Sequence, residues 1–254
     1  MQNAVVLKDV SMKYQSVSGE TEAIKNIGFE VKQGEFLSIV GPSGCGKSTL
    51  LSIIAGLLKP TGGEVLVMGE PASVGKRTGY MLQNDHLFEW RTIMDNVLLG
   101  QQIKHCATPE NRKYAEQLLK TYGLYDFKDR YPRELSGGMR QRAALIRTLA
   151  VRPDILLLDE AFSGLDYQTR LAVSDDIYGI IRREKKTVVM ITHDISESVA
   201  MSDRVVVLSK RPASVKCIVD ISFADKEALP LSRREAPEFK AYFNTIWKEL
   251  GVHV

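Results

Sequence analysis

The feature that most constrains this chain is a glycine-rich run of nine residues, Gly41-Pro42-Ser43-Gly44-Cys45-Gly46-Lys47-Ser48-Thr49. It fits the pattern G-x-x-x-x-G-K-[ST] of a phosphate-binding loop, in which backbone N–H groups surround the phosphates. The apolar run Phe36–Val40 precedes it and a helical pattern begins near Leu50, as this loop between a strand and a helix requires. We expect the glycines to let the backbone curl around an anion that the dipole of the following helix also favours. Lys47 would place a positive charge at the β and γ phosphates, and Ser48 a hydroxyl at Mg²⁺.

Five further motifs follow this loop along the chain. They are Gln83, Leu135-Ser136-Gly137-Gly138-Met139-Arg140-Gln141, Ile155-Leu156-Leu157-Leu158-Asp159-Glu160, Ser163-Gly164-Leu165-Asp166 and His193. Together with the loop, and in this order, they resemble the ATP-binding cassette of ABC transporters. The resemblance extends from about Val5 to about Ser209. It departs at Ala161, where many members of that family have proline, but no chemical group is lost by that change.

The resemblance implies an α/β fold with three parts. They are a RecA-like P-loop ATPase core, an N-terminal antiparallel β lobe and an inserted α-helical subdomain, which together make an ABC nucleotide-binding domain. We expect this single ATPase domain over residues 1–225, with its core at 1–85 and 152–225 and the helical subdomain at about 86–151. Residues 226–254 are predicted to form a C-terminal tail with a terminal helix.

The hydrophobic periodicity agrees with an α/β chain. Strands are predicted at Ala4–Met12, Ala23–Val31, Glu35–Val40, Glu64–Met68, Ile155–Leu158, Thr187–Thr192 and Arg204–Ser209. Helices are predicted at Thr92–Gly100, Pro109–Tyr122 and Gly138–Val151. The polar stretch Gln15–Glu22 is predicted to be a loop. In the tail, Phe239, Phe243, Ile246 and Leu250 recur on one face of a helix. We expect that helix to pack on the domain, and a partner-binding helix is the alternative.

An acidic pair ends the apolar run Ile155–Leu158. Asp159 would lie at the carboxyl end of a buried strand, where ligands bind in open α/β sheets, and its carboxylate is suited to hold Mg²⁺ through water. The resemblance implies that Glu160 is the general base, or positions the attacking water. It also implies that His193 contacts the γ-phosphate and steadies Glu160. Gln83 would meet Mg²⁺ or the attacking water and report the γ-phosphate to the helical insert.

Ser136, Gly137 and Gly138 open a predicted helix and make a second anion site. One ATP does not need two phosphate cradles in one chain. The resemblance implies that the second cradle binds the γ-phosphate held by another subunit, so that two chains pair head to tail around two ATP molecules. Asp166 would lie on the loop that crosses the same interface. Tyr14 matches the aromatic residue on which adenine stacks in the family, and a core or surface tyrosine is the alternative.

The composition is ordinary for a soluble globular protein, with 44% hydrophobic residues, 26% charged residues and a net charge of +3. That charge gives no strong case for nucleic-acid binding. The three cysteines, Cys45, Cys106 and Cys217, show no zinc spacing and favour a reducing compartment. Cys45 is most simply a small tolerated side chain, and a reactive thiol is the alternative. We expect no signal peptide and no membrane span, so that any membrane part would be another chain.

These observations predict the ATP-hydrolysing motor subunit of an ABC importer, with ATP and Mg²⁺ as cofactors. The expected partners are a second copy of the chain, integral membrane permease subunits and, indirectly, a solute-binding protein, at the cytoplasmic face of the cell membrane. Three segments further resemble the importer group for nitrate, sulfonate and taurine: Phe88–Thr92, Leu208–Ala213 and Arg233–Phe239. A small anion or organic solute is therefore the expected cargo. A cytosolic ABC ATPase without a membrane partner is the alternative.

The membrane partner would need a docking surface. Leu87, Phe88 and Trp90 are large apolar residues just past Gln83. Clustered apolar residues, aromatics above all, often anchor an interface. We predict that these three line a groove for a permease helix, and the alternative is that they form the small core of the helical insert.

Overall fold

The phosphate-binding loop leaves the carboxyl end of a strand in a mostly parallel sheet. The computed structural model describes residues 2–16 and 19–251, and within these residues the chain forms ten strands and eight α-helices. The strands are β1 (Asn3–Ser16), β2 (Gly19–Lys32), β3 (Phe36–Val40), β4 (Gly62–Val67), β5 (Glu70–Pro71), β6 (Thr78–Met81), β7 (Ile155–Asp159), β8 (Thr187–Ile191), β9 (Arg204–Leu208) and β10 (Val215–Asp220). The α-helices are α1 (Lys47–Ile54), α2 (Ile93–Ile103), α3 (Pro109–Thr121), α4 (Gly137–Leu149), α5 (Tyr167–Arg183), α6 (Ile195–Met201), α7 (Pro230–Glu235) and α8 (Pro237–Leu250). Tyr125–Phe127 and Pro132–Glu134 form short 3₁₀ helices.

The strands form two sheets. The larger one has the order β10-β9-β3-β8-β7-β6, in which neighbouring strands run parallel except at the β10 edge. Every residue of β3 and of β8 is buried. Unbroken apolar strands of this kind are typical of parallel sheets that helices cover on both faces. The smaller sheet, β2-β1-β4-β5, is antiparallel and contains the N-terminal strands. The α/β fold and its N-terminal antiparallel β lobe are thus confirmed.

The hairpin of β1 and β2 is longer than predicted. The stretch Gln15–Glu22 was expected to be a loop, but Gln15 pairs with Glu20 and Tyr14 with Thr21 in the ladder. That expectation was wrong for the described part of the stretch, and Val17 and Ser18 within it lie outside the described residues. A hairpin that projects into solvent needs no apolar face, so a polar sequence does not exclude strand pairing. An ion pair between Lys13 and Glu20, 2.8 Å from nitrogen to oxygen, spans the two strands.

The helices after β6 share their core with the large sheet. Ile93 and Val97 of α2, and Leu145 of α4, belong to the same buried cluster as Leu156 and Met190 of the sheet. The helical segment is therefore packed directly on β7 and β8. All three helices predicted in this segment are present, within a few residues of the expected bounds. The division into a core and a helical subdomain remains our interpretation.

The tail adds an edge strand and two helices to the domain. Neither β10 nor α7 was predicted, because β10 alternates between half-buried and exposed residues and α7 has only six residues. The predicted terminal helix is present as α8, and Ile246 on its inner face is fully buried. It lies in one cluster with Val199 of α6 and with Val205 and Val207 of β9. Within residues 2–16 and 19–251, no helix is both long and apolar enough to cross a bilayer.

Truncation of Ile246 tests whether α8 is part of the fold. Ile246→Ala should lower the free energy of unfolding by about 2–5 kcal/mol, because it leaves a cavity among buried aliphatic side chains. Urea denaturation followed by circular dichroism measures this loss. Asn244→Ala, on the exposed side of the same helix, should change it by no more than about 0.5 kcal/mol. Equal losses in the two variants would contradict the packing of α8.

Candidate nucleotide-binding site

Most of the predicted site residues lie along one edge of the large sheet, the one formed by the carboxyl ends of its parallel strands. The parallel strands β6, β7, β8, β3 and β9 all end at this edge. They lead respectively to Gln83, Asp159, His193, Gly41 and Arg211. Ligands bind at such an edge because the loops that leave parallel strands diverge there and leave a crevice. The register of one sheet therefore brings together residues from distant parts of the chain.

The glycine-rich run folds as a tight loop between β3 and α1. Gly44 and Gly46 have φ angles of 70° and 123°, which side chains with a Cβ rarely adopt. A Cβ at Gly46 would also lie 3.1 Å from the carbonyl oxygen of Ala23. The ammonium of Lys47 donates to the carbonyl oxygens of Gly41, at 2.8 Å, and Pro42, at 3.1 Å. The lysine is thus held across the loop, with its charge beside the N-terminus of α1.

A cavity of about 290 Å³ opens over this loop. It is lined by Ser43, Gly44, Gly46, Lys47, Ser48, Thr49, Glu160 and Arg211. Tyr14 lies beside it on β1, with its hydroxyl 3.2 Å from the hydroxyl of Thr49, and 39% of the tyrosine is exposed. Backbone N–H groups, two cations and an accessible aromatic ring fit the phosphates and the base of a nucleotide. The thiol of Cys45 is buried beneath the loop, as a small packing side chain would be.

Asp159 and Ser48 form a pair of oxygen donors at the loop. The Ser48 hydroxyl donates to Oδ1 of Asp159 at 3.2 Å, and the Tyr80 hydroxyl donates to Oδ2 at 3.0 Å. Burial raises the pKa of Asp159, and these two hydrogen bonds offset part of that rise. Burial and the neighbouring carboxylate in turn raise the pKa of Tyr80, which keeps it a donor. A hydroxyl and a carboxylate are ligands that suit Mg²⁺.

Glu160 and His193 face each other across the ends of β7 and β8. Nδ1 of His193 lies 3.3 Å from Oε2 of Glu160. Glu160 has a φ angle of 48°, in the left-handed region that few residues other than glycine adopt. Its backbone is held there by hydrogen bonds to Ile191 and from Ser163, at 2.9 and 3.1 Å. Such constrained backbones often occur at functional sites, because the surrounding structure fixes the direction of the side chain.

Asp159 and His193 do not line this cavity themselves but contact Ser48 and Glu160, which do. Two other groups of predicted residues lie farther from it. Gln83 is exposed beyond β6 and does not line it. Ser136 caps α4, where its hydroxyl accepts a hydrogen bond from the backbone of Met139 at 3.3 Å. With Gly137 and Gly138 it opens the helix, but none of the three lines the cavity. One chain thus presents two potential anion sites that do not meet.

The sequence reasoning missed several side chains that tie α4 to the site. Arg140 forms an ion pair with Asp85 at 2.8 Å, and Arg147 donates to the carbonyl oxygen of Asp85 at 2.6 Å. Burial alone would raise the pKa of Asp85, but hydrogen bonds from Arg140 and from the Leu87 backbone outweigh it and lower the pKa. The buried Gln141 donates to the carbonyl oxygen of Ala161. No spacing in the sequence indicates these pairs, because the partners lie on separate elements.

The apolar residues past Gln83 do not form one patch. Leu87 is buried in the main core, so its predicted place in an exposed groove was wrong. Trp90 is 74% exposed, and its ring stacks on that of the half-buried Phe88 with centroids 4.9 Å apart. The fully buried Asn96 binds the backbone of Phe88 through both amide atoms, at 2.7 and 3.1 Å. An aromatic pair is thus displayed at the surface on a segment with a fixed backbone.

A comparison with known protein families shows which family this chain belongs to. The family model described as ABC transporter matches residues 24–163. This chain belongs to the ABC transporter family. An ABC transporter ATP-binding protein of Bacillus subtilis (YtlC, described as uncharacterized) is 48% identical over 243 residues, which are 95% of this chain and 94% of that protein. The nitrate import ATP-binding protein of Synechocystis sp. (NrtD) is 39% identical over 245 residues, which are 94% and 92% of the two chains.

Solved structures agree with this assignment. A dimeric structure of the bacterial ABC transporter cassette MJ0796 matches with a TM-score of 0.72 at 32% identity. The match covers 86% of this chain and 99% of that one. The ABC ATPase chain thus has the RecA-like nucleotide-binding fold that its motifs implied, and it is an ATP-binding subunit with ATPase activity.

A conservative change at Glu160 tests its role in this ABC ATPase. Glu160→Gln should retain ATP binding but lower the hydrolysis rate about 10²–10⁴-fold, because the amide keeps the shape and cannot accept the proton of water. Phosphate release and nucleotide titration measure the two properties separately. Glu64→Gln, the same change at an exposed side chain of β4, serves as the control. Normal turnover in the Glu160 variant would remove it from the chemistry.

Proposed function

We propose that this chain is the ATP-hydrolysing motor subunit of an ABC importer for a small anion or organic solute, such as nitrate, sulfonate or taurine. The likeness to the nitrate import ATP-binding protein of Synechocystis over nearly the whole of both chains is the observation that carries the importer role. The geometry at the sheet edge supports the motor chemistry. The subunit would sit at the cytoplasmic face of the membrane, bound to permease subunits that receive solute from a solute-binding protein, with no role for nucleic acid.

In this proposal the loop and Lys47 bind the phosphates of ATP, and Tyr14 stacks on the base. Ser48 and Asp159 would hold Mg²⁺, with Gln83 as a further ligand from β6. The bound ion would neutralise part of the phosphate charge. The contact of the Ser48 hydroxyl with Oδ1 of Asp159, at 3.2 Å, supports this assignment because it places two oxygen ligands side by side.

Glu160 would accept the proton of the attacking water. Its backbone conformation, held from β8 and from the following turn, supports a fixed direction for the carboxylate. His193 would steady that carboxylate from 3.3 Å and contact the γ-phosphate. The hydroxide equivalent formed in this way would attack the γ-phosphorus, and the ADP oxygen would leave.

The second anion site calls for a second copy of the chain. Ser136, Gly137 and Gly138 carry the backbone N–H groups at the start of α4, yet they do not line the cavity of their own chain. In a head-to-tail homodimer they would meet the γ-phosphate held by the other subunit, with Asp166 at the same interface. The dimeric state of the MJ0796 cassette supports this arrangement.

A bulky cation at Ser136 tests the head-to-tail dimer. Ser136→Arg should leave ATP binding by each subunit intact and abolish the ATP-dependent dimer, because the side chain fills the space meant for the phosphate. Light scattering in a Glu160→Gln background measures the dimer. Ser136→Ala is the matched control, since it removes the same helix cap, at a cost of about 1 kcal/mol, without filling the cradle. Dimers of equal stability in the two variants would contradict the head-to-tail arrangement.

The aromatic pair of Phe88 and Trp90 is the proposed contact with the permease. Exposed tryptophan is rare on a monomer surface and is enriched at interfaces. The pair lies a few residues past Gln83, and Arg140 of α4 forms ion pairs with its neighbours Asp85 and Glu89, at 2.8 and 2.7 Å. A permease helix docked on Trp90 would therefore act on a segment connected to both anion sites.

A charge at Trp90 tests this contact. Trp90→Asp should leave folding and the ATPase rate of the isolated subunit unchanged, because the side chain is 74% exposed. It should abolish both co-purification with the permease and solute uptake. Val74→Asp is the control, since Val74 is also well exposed, at 64%, and lies on the separate segment between β5 and β6. Normal assembly in the Trp90 variant would place the interface elsewhere, and a chain that never co-purifies with a membrane protein would favour the cytosolic ATPase.

A further inference from the structure

The turn between β9 and β10 brings an arginine to the phosphate-binding loop. Strand β9 pairs in parallel with β3, and Val207 lies opposite Val40 at the end of the ladder. The two strands approach so closely that a Cβ at Gly41 would lie 3.1 Å from the Cβ of Leu208. The turn that leaves β9 therefore starts beside the loop that leaves β3. Arg211 is part of this turn.

The backbone of the turn is fixed without help from the arginine side chain. Ala213 donates to the carbonyl oxygen of Ala23 and accepts from the backbone of Lys25, each at 2.9 Å, which anchors the turn on β2. The Ser209 hydroxyl accepts from the backbone N–H of Ser214 at 2.9 Å. The backbone N–H of Ser209 donates to the carbonyl oxygen of Ser214 at 3.0 Å. A substitution at Arg211 thus removes a side chain from the cavity and leaves the turn in place.

The Arg211 guanidinium lies at the rim of the nucleotide cavity. Nη2 donates to the carbonyl oxygen of Gly44 at 2.7 Å, and the residue lines the same cavity as Lys47, Ser48 and Glu160. The guanidinium has five N–H donors, and among residues 2–16 and 19–251 the Gly44 oxygen is the one acceptor that it binds. Within the same residues, no carboxylate oxygen lies within 4.0 Å of it.

An arginine with most of its donors free beside a phosphate cradle has a clear chemical preference. Its planar fork matches phosphate oxygens, and hydrogen bonds between charged partners are about twice as strong as neutral ones. Lys47 and Arg211 both line this cavity with Glu160, and the Asp159 carboxylate next to it is already bonded to the hydroxyls of Ser48 and Tyr80. A polyphosphate would satisfy both cations. The Gly44 contact holds the guanidinium in place for this role, because it uses one donor and leaves the others.

We propose that Arg211 is a phosphate-binding residue of this ATPase, which adds a second positive charge to the one supplied by Lys47. The contact would also couple the β9–β10 turn to the presence of nucleotide, since Arg211 would bridge the loop and the phosphate chain. This inference rests on nucleotide binding by the subunit and is independent of the cargo and of the permease.

Nucleotide titration of the purified full chain tests the proposal. Arg211→Gln should weaken ATP binding about tenfold, as expected for the loss of a charge-assisted hydrogen bond. Arg211→Lys should have an intermediate affinity, because it keeps the charge and loses the fork. Adenosine, which lacks phosphate, should bind all variants equally. Lys210→Gln is the matched control: the neighbouring cation is exposed, does not line the cavity, and should leave ATP affinity unchanged.

Each other outcome overturns the proposal. Equal ATP affinity of Arg211→Gln and wild type would exclude a phosphate contact. If Lys210→Gln loses as much ATP affinity as Arg211→Gln, the loss comes from removing any positive charge at this surface and not from a specific contact. If Arg211→Gln binds ATP normally but no longer dimerises with it, the arginine contacts the second copy of the chain. Failure of wild type to bind ATP would overturn the nucleotide site as a whole. An unchanged thermal unfolding transition in each variant shows that the turn is intact.

Discussion

Parallel pairing of β3 with β8 and β9, and of β8 with β7, is the constraint on which the site depends. Val40, Ile191 and Asp159 end three strands of one sheet, so the residues that follow them emerge at one edge. The sheet has apolar side chains on both faces, because α1 and the smaller sheet pack on one face and helices α2–α5 on the other. In β3, β7, β8 and β9 charged side chains therefore occur only at strand ends, at Arg204 and Asp159. The groups proposed to take part in hydrolysis therefore lie at the carboxyl ends of the strands, because packed side chains fill the interior of the sheet.

A second consequence of this layout is that the site is assembled from loops with fixed backbones. Lys47 is held by two carbonyl oxygens of its own loop. The backbone of Glu160 donates to Ile191 of β8 and accepts from Ser163 in the turn after it. Burial also affects the charged groups of the site, because it raises the pKa of Asp159. A cation near that carboxylate would favour its ionised form again. The groups proposed to bind nucleotide are thus prepared before any ligand arrives, which lowers the cost of binding.

Helix α4 connects the regions proposed to bind nucleotide and to contact the permease. Its first turn carries the proposed second anion site, and Arg140 and Arg147 reach the segment that follows Gln83. Gln141 reaches the backbone just after Glu160. A displacement of α4 would therefore also move the segment that carries Phe88 and Trp90 and the backbone that follows Glu160. The structure contains the contacts for such coupling, and the permease contact that we propose lies at their end.

Much of this protein was predictable from local sequence patterns. A glycine-rich loop between an apolar strand and a helix has few alternative structures, and runs such as Ile155–Leu158 have the length and composition of buried parallel strands. The order of the motifs was enough to indicate the family, and the family comparison confirmed it. The roles of Tyr14, Gln83, Glu160 and His193 remain predictions, although the structure brings Glu160 and His193 within 3.3 Å.

Tertiary structure alone decided the features that depend on partners far along the chain. Gln15 and Glu20 look like loop residues, yet they form a ladder because strand pairing in solvent requires only backbone hydrogen bonds. Leu87 and Trp90 have similar apolar character in the sequence, but Leu87 is buried in the main core and Trp90 is exposed at the surface. Arg211 follows an ordinary strand, and it reaches the phosphate-binding loop only because β9 pairs with β3. Local sequence determines what a segment can form, whereas the three-dimensional pairing of segments determines which side chains meet.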